Sequence, residues 1–223
     1  MSKRVLLVAF QIFRACLPRV SAPAEPATAS RRVTLLQSGM LYHNGRDPAP
    51  FLHAAARLKA QGLVQSDALR VVLRAPGNQE SMQARVNAPG VADLVEVAPP
   101  IPYGAAVEEM LDADGLMVLQ GTPFNARIPA RIYRYFRARK PILGRLDPAG
   151  ETARVLTAAG FGDSARIDLM DDIFPALHHF LEGIYDGTAT VATEDLIHSA
   201  SRQQCAHELA GMFDTALGRA MAA

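Results

Sequence analysis

The chain has 223 residues with a formal net charge of +1, and hydrophobic residues make up 49% of it. This composition is typical of a globular protein, and the near-zero charge argues against a strongly electrostatic nucleic-acid binder. No run of about 18 apolar residues occurs, so the sequence predicts no membrane-spanning helix.

The N-terminal segment has two interpretations. A basic start followed by the apolar run VLLVAFQIF is typical of a signal peptide. Gln11 breaks this run, and Arg14 and Arg19 interrupt the approach to any cleavage site, so the pattern favours a buried strand. The following residues, 18–32, are rich in Pro, Ala and Ser and predict an extended linker.

From residue 33 onward, apolar runs alternate with helical patterns. The predicted strands are 33–37, 69–73, 94–97, 116–119 and 141–143. The predicted helices are 48–60, a polar helix from Glu80, 102–113, a strongly basic helix over 127–139, and a helix from Glu151. Strands separated by helices indicate a parallel sheet with helices on both faces. The predicted fold class is therefore α/β, a Rossmann-like doubly wound parallel sheet.

The C-terminal part is mostly helical from Asp171 onward, with a predicted break over 183–190. Its last segment, 193–222, starts with the acidic residues Glu194 and Asp195, which favour the helix dipole. Apolar side chains recur there at helical spacings: Leu196, Ile197, Leu209, Met212, Phe213 and Leu217. We therefore expect C-terminal helices that close the domain.

Cysteine and histidine give no sign of a metal site. Cys16 and Cys205 are far apart and lack metal-ligand spacing, which indicates reduced intracellular thiols. His178 and His179 are adjacent and point to different faces of a helix. We therefore predict no bound metal.

Several phrases together resemble a known family. They are LLQSGMLYHNGRDPAPFL, VLRAPGN, VEVAPPIPYGAAVEEMLDADGLMVLQ, IPARIYRYFRARKPILGRLDPAGETARVL and HSASRQQCAHELAGMFD. In order and spacing they resemble the C-terminal, donor-binding domain of family 4 retaining glycosyltransferases, which have the two-Rossmann-domain GT-B fold. The resemblance implies three parts: a remnant first strand of a lost N-terminal domain at 1–17, the linker at 18–32, and a nucleotide-sugar-binding domain with closing helices at 33–223.

The resemblance implies transfer of a hexose from a UDP- or GDP-linked sugar to a glycan or lipid-linked acceptor in cell-surface polysaccharide synthesis. Because Arg46 and the amides at a helix start could take the place of a metal at the diphosphate, we expect a metal-independent reaction without another cofactor. The basic segment 127–139 suits peripheral contact with an anionic membrane, so we expect a cytoplasmic protein at the inner membrane face. An orphaned cleft face would favour a homo-oligomer. The alternatives are an orphan nucleotide-binding or regulatory module without catalysis and a truncated product without function.

Candidate phosphate-binding residues follow the first two strands. Arg46, in GRDP, lies where the resemblance places a basic residue before the first helix, and its alternative is a surface ion pair with Asp47. Arg74 ends the second strand, with a solvent-facing side chain as its alternative. Ser38 and Gly39 follow the first strand, and Gly39 allows either a close ligand or an ordinary tight turn.

Candidate residues for the nucleoside and sugar follow the later strands. The resemblance implies that Gln120, Gly121 and Asn125 line the pocket, although Asn125 could instead cap a helix. Glu151 and Thr152 open a helix whose free amides could hold a phosphate, although Glu151 also favours the helix dipole.

The resemblance fails at two positions. The family usually carries two glutamates eight positions apart, which face the donor sugar and the ribose hydroxyls. These positions fall on Ala126 and Arg134. A guanidinium only donates hydrogen bonds, so Arg134 cannot accept those of ribose hydroxyls, but it can contact a phosphate. Arg134 therefore stays a candidate donor-binding residue with a changed role.

Overall fold

The structure is a computed structural model that describes residues 32–221, apart from residues 43 and 163. The predicted N-terminal strand and all but the last residue of the predicted linker lie outside these described residues.

The described part of the chain contains one six-stranded parallel sheet. The strands are β1 Val33–Ser38, β2 Leu69–Arg74, β3 Val95–Ala98, β4 Gly115–Gln120, β5 Ile142–Leu146 and β6 Ser164–Arg166. Their order is β3-β2-β1-β4-β5-β6, the arrangement of a doubly wound Rossmann-like fold. The predicted fold class is therefore confirmed, although β6 was not predicted.

Helices cover both faces of this sheet. They are α1 Ala49–Ala60, α2 Gln79–Asn87, α3 Tyr103–Asp112, α4 Arg131–Ala138, α5 Glu151–Ala158, α6 Met170–Tyr185, α7 Glu194–Ser199 and α8 Arg202–Met221. Apolar residues of α1, α2 and α6 form one core with one face of the sheet. Residues of α4 and α5 form a second core on the other face. The central strands are largely buried on both faces, which favours apolar residues, and the longest apolar run lies in β4.

Local signals explain where individual helices begin. The Asn78 side chain accepts a hydrogen bond from the Ser81 amide at 2.9 Å, which caps the start of α2. Thr193 caps α7 in the same way through the Leu196 amide. Such caps satisfy amides that have no partner within the helix.

The basic helix is shorter than predicted. The prediction covered 127–139, whereas α4 begins at Arg131, and residues 127–130 belong to the preceding loop. Pro129 accounts for the difference, because a proline fits the start of a helix and disfavours helical backbone at the residue before it.

The predicted break over 183–190 begins later than expected, since α6 continues to Tyr185. The chain then folds back onto the helix, and the Thr188 and Ala189 amides both donate to the Gly183 carbonyl at 2.8 and 2.9 Å. A Cβ at Gly183 would lie 3.4 Å from Ala189, so the glycine permits this close contact within the helix.

The C-terminal segment is helical, as predicted, but it divides at Ala200 and Ser201 into α7 and α8. Leu196 and Ile197 of α7 pack against the second core. The apolar residues of α8 are instead 51–68% exposed: Leu209, Met212, Phe213 and Leu217. Helical spacing therefore predicted the helix correctly, but it could not predict whether the apolar face is covered. Within residues 32–221, leaving aside 43 and 163, no helix has both the length and the apolar character to cross a membrane.

Candidate functional site

The candidate site lies where the connections change direction, between β1 and β4. The helix after β1 packs on one face of the sheet, and the helix after β4 packs on the other. The loops 39–48, 121–130 and 147–150 follow β1, β4 and β5 at the carboxyl edge. Ligands of doubly wound sheets bind in the crevice at this edge.

Backbone hydrogen bonds join these three loops. The Gly121 amide donates to the Gly45 carbonyl at 2.6 Å. The Asp147 amide donates to the Gln120 carbonyl at 3.1 Å, and the Glu151 amide donates to the Asn125 carbonyl at 2.8 Å. The loops therefore form one continuous frame, and the first amide of α5 is already engaged.

Two glycines allow the loops to approach one another. Gly39 has a φ of +112° and Gly45 a φ of +79°, conformations that other residues rarely adopt. A Cβ at Gly45 would lie 2.9 Å from the Pro123 Cδ atom, and one at Gly39 would lie 2.8 Å from Arg131 Nη2. The close neighbour of Gly39 in this structure is the Arg131 guanidinium, and the predicted close approach of a ligand to Gly39 stays a prediction.

Arg46 lies against aromatic rings at the centre of the frame. Its guanidinium carbon is 4.5 Å from the ring centroid of Phe124 and 5.7 Å from that of Tyr42. The side chain is half-buried, and its Nε atom is buried without a hydrogen-bond partner among the described residues. Burial lowers the pKa of Arg46, and the positive charges of Arg131 and Arg127 lower it further. An arginine remains charged under these conditions, so the site concentrates positive charge.

The alternative in which Arg46 pairs with Asp47 is wrong. Asp47 Oδ1 instead accepts hydrogen bonds from Arg85 Nη1 at 2.7 Å and from the Ala49 amide at 3.0 Å. The second contact satisfies an amide at the start of α1. Asp47 therefore supports the helix while Arg46 faces the rings.

Arg131 is a residue of this site that sequence reasoning assigned only to a basic stripe. Its Nη1 atom donates to Gln37 Oε1 at 3.1 Å and also to the Ser38 carbonyl. Arg131 is the first residue of α4, directly after the β4 loop. That position, at the start of a helix beside the carboxyl edge of the sheet, was the signal that could have identified it.

Arg74 is held away from the site by an ion pair. Its Nε and Nη2 atoms donate to the two carboxylate oxygens of Glu109 at 2.9 and 2.5 Å, and Nη1 donates to the Pro99 carbonyl at 2.8 Å. The Arg74 side chain is only 12% exposed. These hydrogen bonds with Glu109 raise the pKa of Arg74. The structure thus brings Arg46 and Arg131 together, while the charge of Arg74 is neutralised beside β3 and α3.

Gln120 and Thr152 lie beneath the β4 loop and are almost fully buried. Gln120 Nε2 donates to the carbonyls of Phe124 and Arg127 at 3.1 and 2.8 Å, and to Thr152 Oγ1 at 2.8 Å. Thr152 in turn donates to the Arg127 carbonyl at 2.9 Å. Both residues therefore fix the shape of the loop from the inside.

Asp147 connects the loops after β4 and β5, and sequence reasoning did not select it. Its Oδ2 atom accepts hydrogen bonds from Thr122 Oγ1 at 2.6 Å and Asn125 Nδ2 at 2.9 Å, and Oδ1 accepts from the Ala149 amide at 2.9 Å. These hydrogen bonds lower the pKa of Asp147 to about 2. The amide donor of Asn125 is therefore engaged by Asp147, and the carboxylate of Glu151 accepts from Arg154 at 2.6 Å.

A cleft lies beside the frame of loops, between the end of β1, α3 and α4. It has a volume of about 220 Å³ and is lined by Ser38 and Gly39, by one face of α3, and by Arg131, Arg134 and Tyr135. Arg134 is exposed at its rim. Arginine side chains and loop amides can bind an anion. Among the described residues, no group of three or more His, Cys, Asp or Glu side chains could hold a metal ion.

The comparisons with known proteins match this geometry at the level of fold. No protein-family model matches the chain, and no curated protein matches it. One similar solved structure is WaaG, a glycosyltransferase involved in lipopolysaccharide biosynthesis, with a TM-score of 0.56, 16% identity, and coverage of 76% of this chain and 43% of that one. Another is the apo form of WaaB, the lipopolysaccharide outer core galactosyltransferase, with a TM-score of 0.55, 13% identity, and coverage of 78% and 45%.

A third similar structure is the UDP-forming α,α-trehalose-phosphate synthase from Burkholderia xenovorans in complex with glucose-6-phosphate. Its TM-score is 0.53 at 13% identity, and the match covers 78% of this chain and 40% of that one. The chain thus spans less than half the length of these three structures. At such low identity the likeness is one of fold. The chain has the Rossmann-like fold of one domain of a GT-B glycosyltransferase.

Proposed function

We propose that this chain is the donor-binding half of a retaining, family-4-like glycosyltransferase that transfers a hexose from a nucleotide-sugar to a glycan or lipid-linked acceptor in cell-surface polysaccharide synthesis. The observation that carries the proposal is Arg46, a half-buried cation with an unsatisfied Nε atom at the switch point of a GT-B-like domain. The similar solved structures, which are glycosyltransferases, support it.

In this proposal the diphosphate of the donor lies between the loops after β1 and β4, against Arg46. Charge develops on the diphosphate as it leaves the sugar, and a preorganised cation stabilises that charge. Phe124 holds the Arg46 guanidinium from one side, so little reorganisation is needed. Arg46 and Arg131 would supply the positive charge, and the proposed reaction therefore uses no metal. UDP and GDP remain the two proposed nucleotides.

The remaining predicted residues have supporting roles in this proposal. Ser38, Gly39 and Gly121 would offer backbone groups close to the donor. Gln120 and Thr152 would act by fixing the β4 loop, since both are buried beneath it. Asn125 would hold the β5 loop through its side-chain contact with Asp147, and the Glu151 amide would join the start of α5 to the Asn125 carbonyl.

The acceptor side belongs to the rest of a GT-B enzyme. Because the chain spans less than half of its structural neighbours, we expect transfer to require a second domain that aligns the acceptor hydroxyl. We also propose that the basic residues around α4 contact an anionic membrane at its cytoplasmic face. The exposed apolar residues of α8 are compatible with a homo-oligomer.

A nucleotide-binding or regulatory module without catalysis is the second candidate function. Arg134 favours it, because this donor-only side chain stands where the resemblance implies a carboxylate for the ribose hydroxyls. Such a module would bind free nucleoside diphosphates as tightly as their sugar conjugates, whereas a donor site gains contacts from the sugar.

The experiment is calorimetry of the purified chain with UDP, GDP, ADP and their hexose conjugates. We expect selective binding, and we expect Arg46→Ala to weaken it about 10- to 100-fold, the usual effect of losing a hydrogen bond to a charged group. The matched control is Arg70→Ala, since Arg70 is exposed and paired with Glu96 near the opposite end of β2. A folded, monodisperse chain that binds no nucleotide, or equal weakening by both variants, would contradict the proposal.

A further inference from the structure

The cleft between the end of β1, α3 and α4 shares Arg131 with the proposed donor site and adds Arg134 and Tyr135 to it. Both charged side chains in its lining are arginines, Arg131 and Arg134, and the lining contains no carboxylate. The cleft has a volume of about 220 Å³. The cleft can therefore hold one anionic group and part of the molecule that carries it.

The two arginines lie three positions apart on α4, a spacing that places side chains on the same helix face. Arg131 is fixed by its hydrogen bonds to Gln37 and the Ser38 carbonyl. Arg134 is exposed one turn later and makes no ion pair with another described residue. One cation is thus positioned in advance, and the other is free to turn towards a ligand.

Tyr135 is the second independent sign of a ligand. It is only 2% exposed and contributes to the wall of the cleft. Arg131 and the Ser38 backbone lie close enough to interact with its hydroxyl, but no described group makes a hydrogen bond of good geometry to it. Burial raises the pKa of Tyr135, so the phenol remains a neutral donor. A buried hydroxyl without a partner costs free energy, and an acceptor atom on a bound ligand would remove that cost.

We propose that this cleft binds a phosphate monoester through Arg131, Arg134 and Tyr135. Planar guanidinium groups match the oxygen atoms of a phosphate, and charge-assisted hydrogen bonds to it are stronger than neutral ones. Ala106, Val107 and Met110 on α3 form an apolar wall for the rest of the ligand. This inference rests on the proposed function for the neighbouring diphosphate at Arg46, and it adds a second anionic group to the ligands of the site.

The monoester has two possible sources. It is either a separate small phosphorylated metabolite bound beside the donor, or a phosphate on the ribose of a nucleotide other than a UDP- or GDP-hexose, whose ribose hydroxyls are free. A ribose with free hydroxyls needs acceptors, and the two arginines offer donors only. Both sources share the same chemistry, and matched ligands can separate them.

The test is calorimetry of the whole chain with five probes: adenosine 2′,5′-bisphosphate, adenosine 3′,5′-bisphosphate, 5′-AMP, glycerol 3-phosphate and inorganic phosphate. If the source is a ribose phosphate, at least one bisphosphate binds about 10- to 100-fold more tightly than 5′-AMP. Arg134→Gln abolishes this gain in affinity over 5′-AMP, and Tyr135→Phe reduces the gain about threefold to tenfold. Arg137→Gln is the matched control on the same helix, because Arg137 does not line the cleft, and it leaves the gain unchanged.

If the source is a separate metabolite, glycerol 3-phosphate binds with the same dependence on Arg134 while the bisphosphates bind no better than 5′-AMP. Either result supports the inference. The inference is overturned if no bisphosphate binds more tightly than 5′-AMP and glycerol 3-phosphate does not bind. It is also overturned if Arg134→Gln and Arg137→Gln weaken binding equally.

UDP binding by the chain and by Arg46→Ala, measured on the same preparations, separates this inference from the proposed function. UDP held through Arg46 without any monoester effect would overturn the inference alone. A monoester held through Arg134 without any nucleotide binding would overturn the proposed function alone.

Discussion

Two arginines at the carboxyl edge of the sheet have opposite surroundings. Arg74, at the end of β2, is fixed by both carboxylate oxygens of Glu109. Arg46, after β1, lies on Phe124 and Tyr42 and keeps an unsatisfied Nε atom. The same residue type at the same edge thus stabilises the fold in one region and is available to a ligand in the other. The difference lies in the neighbouring side chains: among the described residues, Arg74 is paired with the carboxylate of Glu109, whereas the nearby carboxylate of Asp47 is paired with Arg85 and not with Arg46.

The largest loss of stability is expected from replacing a glycine in each of these two regions by alanine. Gly45 and Gly77 both have positive φ, but a Cβ at Gly45 would lie 2.9 Å from Pro123, whereas one at Gly77 would have no atom within 4 Å. We expect Gly77→Ala to lower the free energy of unfolding by about 1–2 kcal/mol through backbone strain alone. Gly45→Ala should cost about 2–4 kcal/mol because overpacking is added. Urea unfolding measures both, and equal losses would show that the loops at Gly45 are not closely packed.

A smaller loss of stability is expected from Glu109→Gln. This change removes the carboxylate and leaves the partly buried Arg74 with a weaker partner. We expect a loss of about 1–2 kcal/mol in the free energy of unfolding, measured in urea. UDP affinity, measured by calorimetry, should stay within about twofold, a difference below 0.5 kcal/mol. A tenfold change in UDP affinity would show that the two regions are not separate.

The ring beneath Arg46 should affect binding more than folding. Phe124→Leu removes a cation–π contact worth about 0.5–1 kcal/mol at a partly exposed position. We therefore expect UDP binding to weaken about twofold to fivefold, while Phe124→Tyr keeps the ring and the affinity. Calorimetry of both variants tests this, and an unchanged affinity in Phe124→Leu would mean that the ring does not position Arg46.

The smallest effect concerns the pH dependence of the β5 loop. Hydrogen bonds from Thr122 and Asn125 lower the pKa of Asp147 from 3.8 to about 2. A carboxylate with a depressed pKa stabilises the folded chain above its unfolded pKa, and this stabilisation is lost as pH falls from about 4 to about 2. NMR titration of the Asp147 carboxyl carbon should give a midpoint near 2, and Asn125→Ala should move it towards 3.8. A midpoint near 3.8 in the unaltered chain would contradict these contacts.

Much of the fold could be predicted because most of its strands are largely buried and contain short apolar runs. β4 is buried at every position, and its run was recognised. The short strand β6, Ser164–Arg166, is mostly polar, so it had no such signal. The apolar pattern of α8 predicted a helix, but a pattern within one helix contains no information about what covers it.

The candidate site could be predicted only in part, because contacts between residues far apart in the sequence leave no local pattern. Gly39 and Arg46 were placed at the correct edge because the ends of parallel strands share one edge. The partner of Arg74 lies 35 positions away in α3, and sequence spacing does not indicate such a contact. Only the packed structure shows that the buried hydroxyl of Tyr135 has no hydrogen bond of good geometry with another described residue.

NMR of the chain labelled with [¹⁵N]glycine, titrated with UDP and then GDP, tests the central claim most directly. Glycines lie both in the proposed donor site and far from it, so their amide signals report where a nucleotide binds. The account predicts shifts at the site glycines, Gly39, Gly45 and Gly121. It predicts no shifts at the glycines in connections at the opposite edge of the sheet, Gly62, Gly90 and Gly160. Saturating nucleotide that leaves the first group unchanged, or that shifts only the second, would contradict a donor site at the β1–β4 switch point.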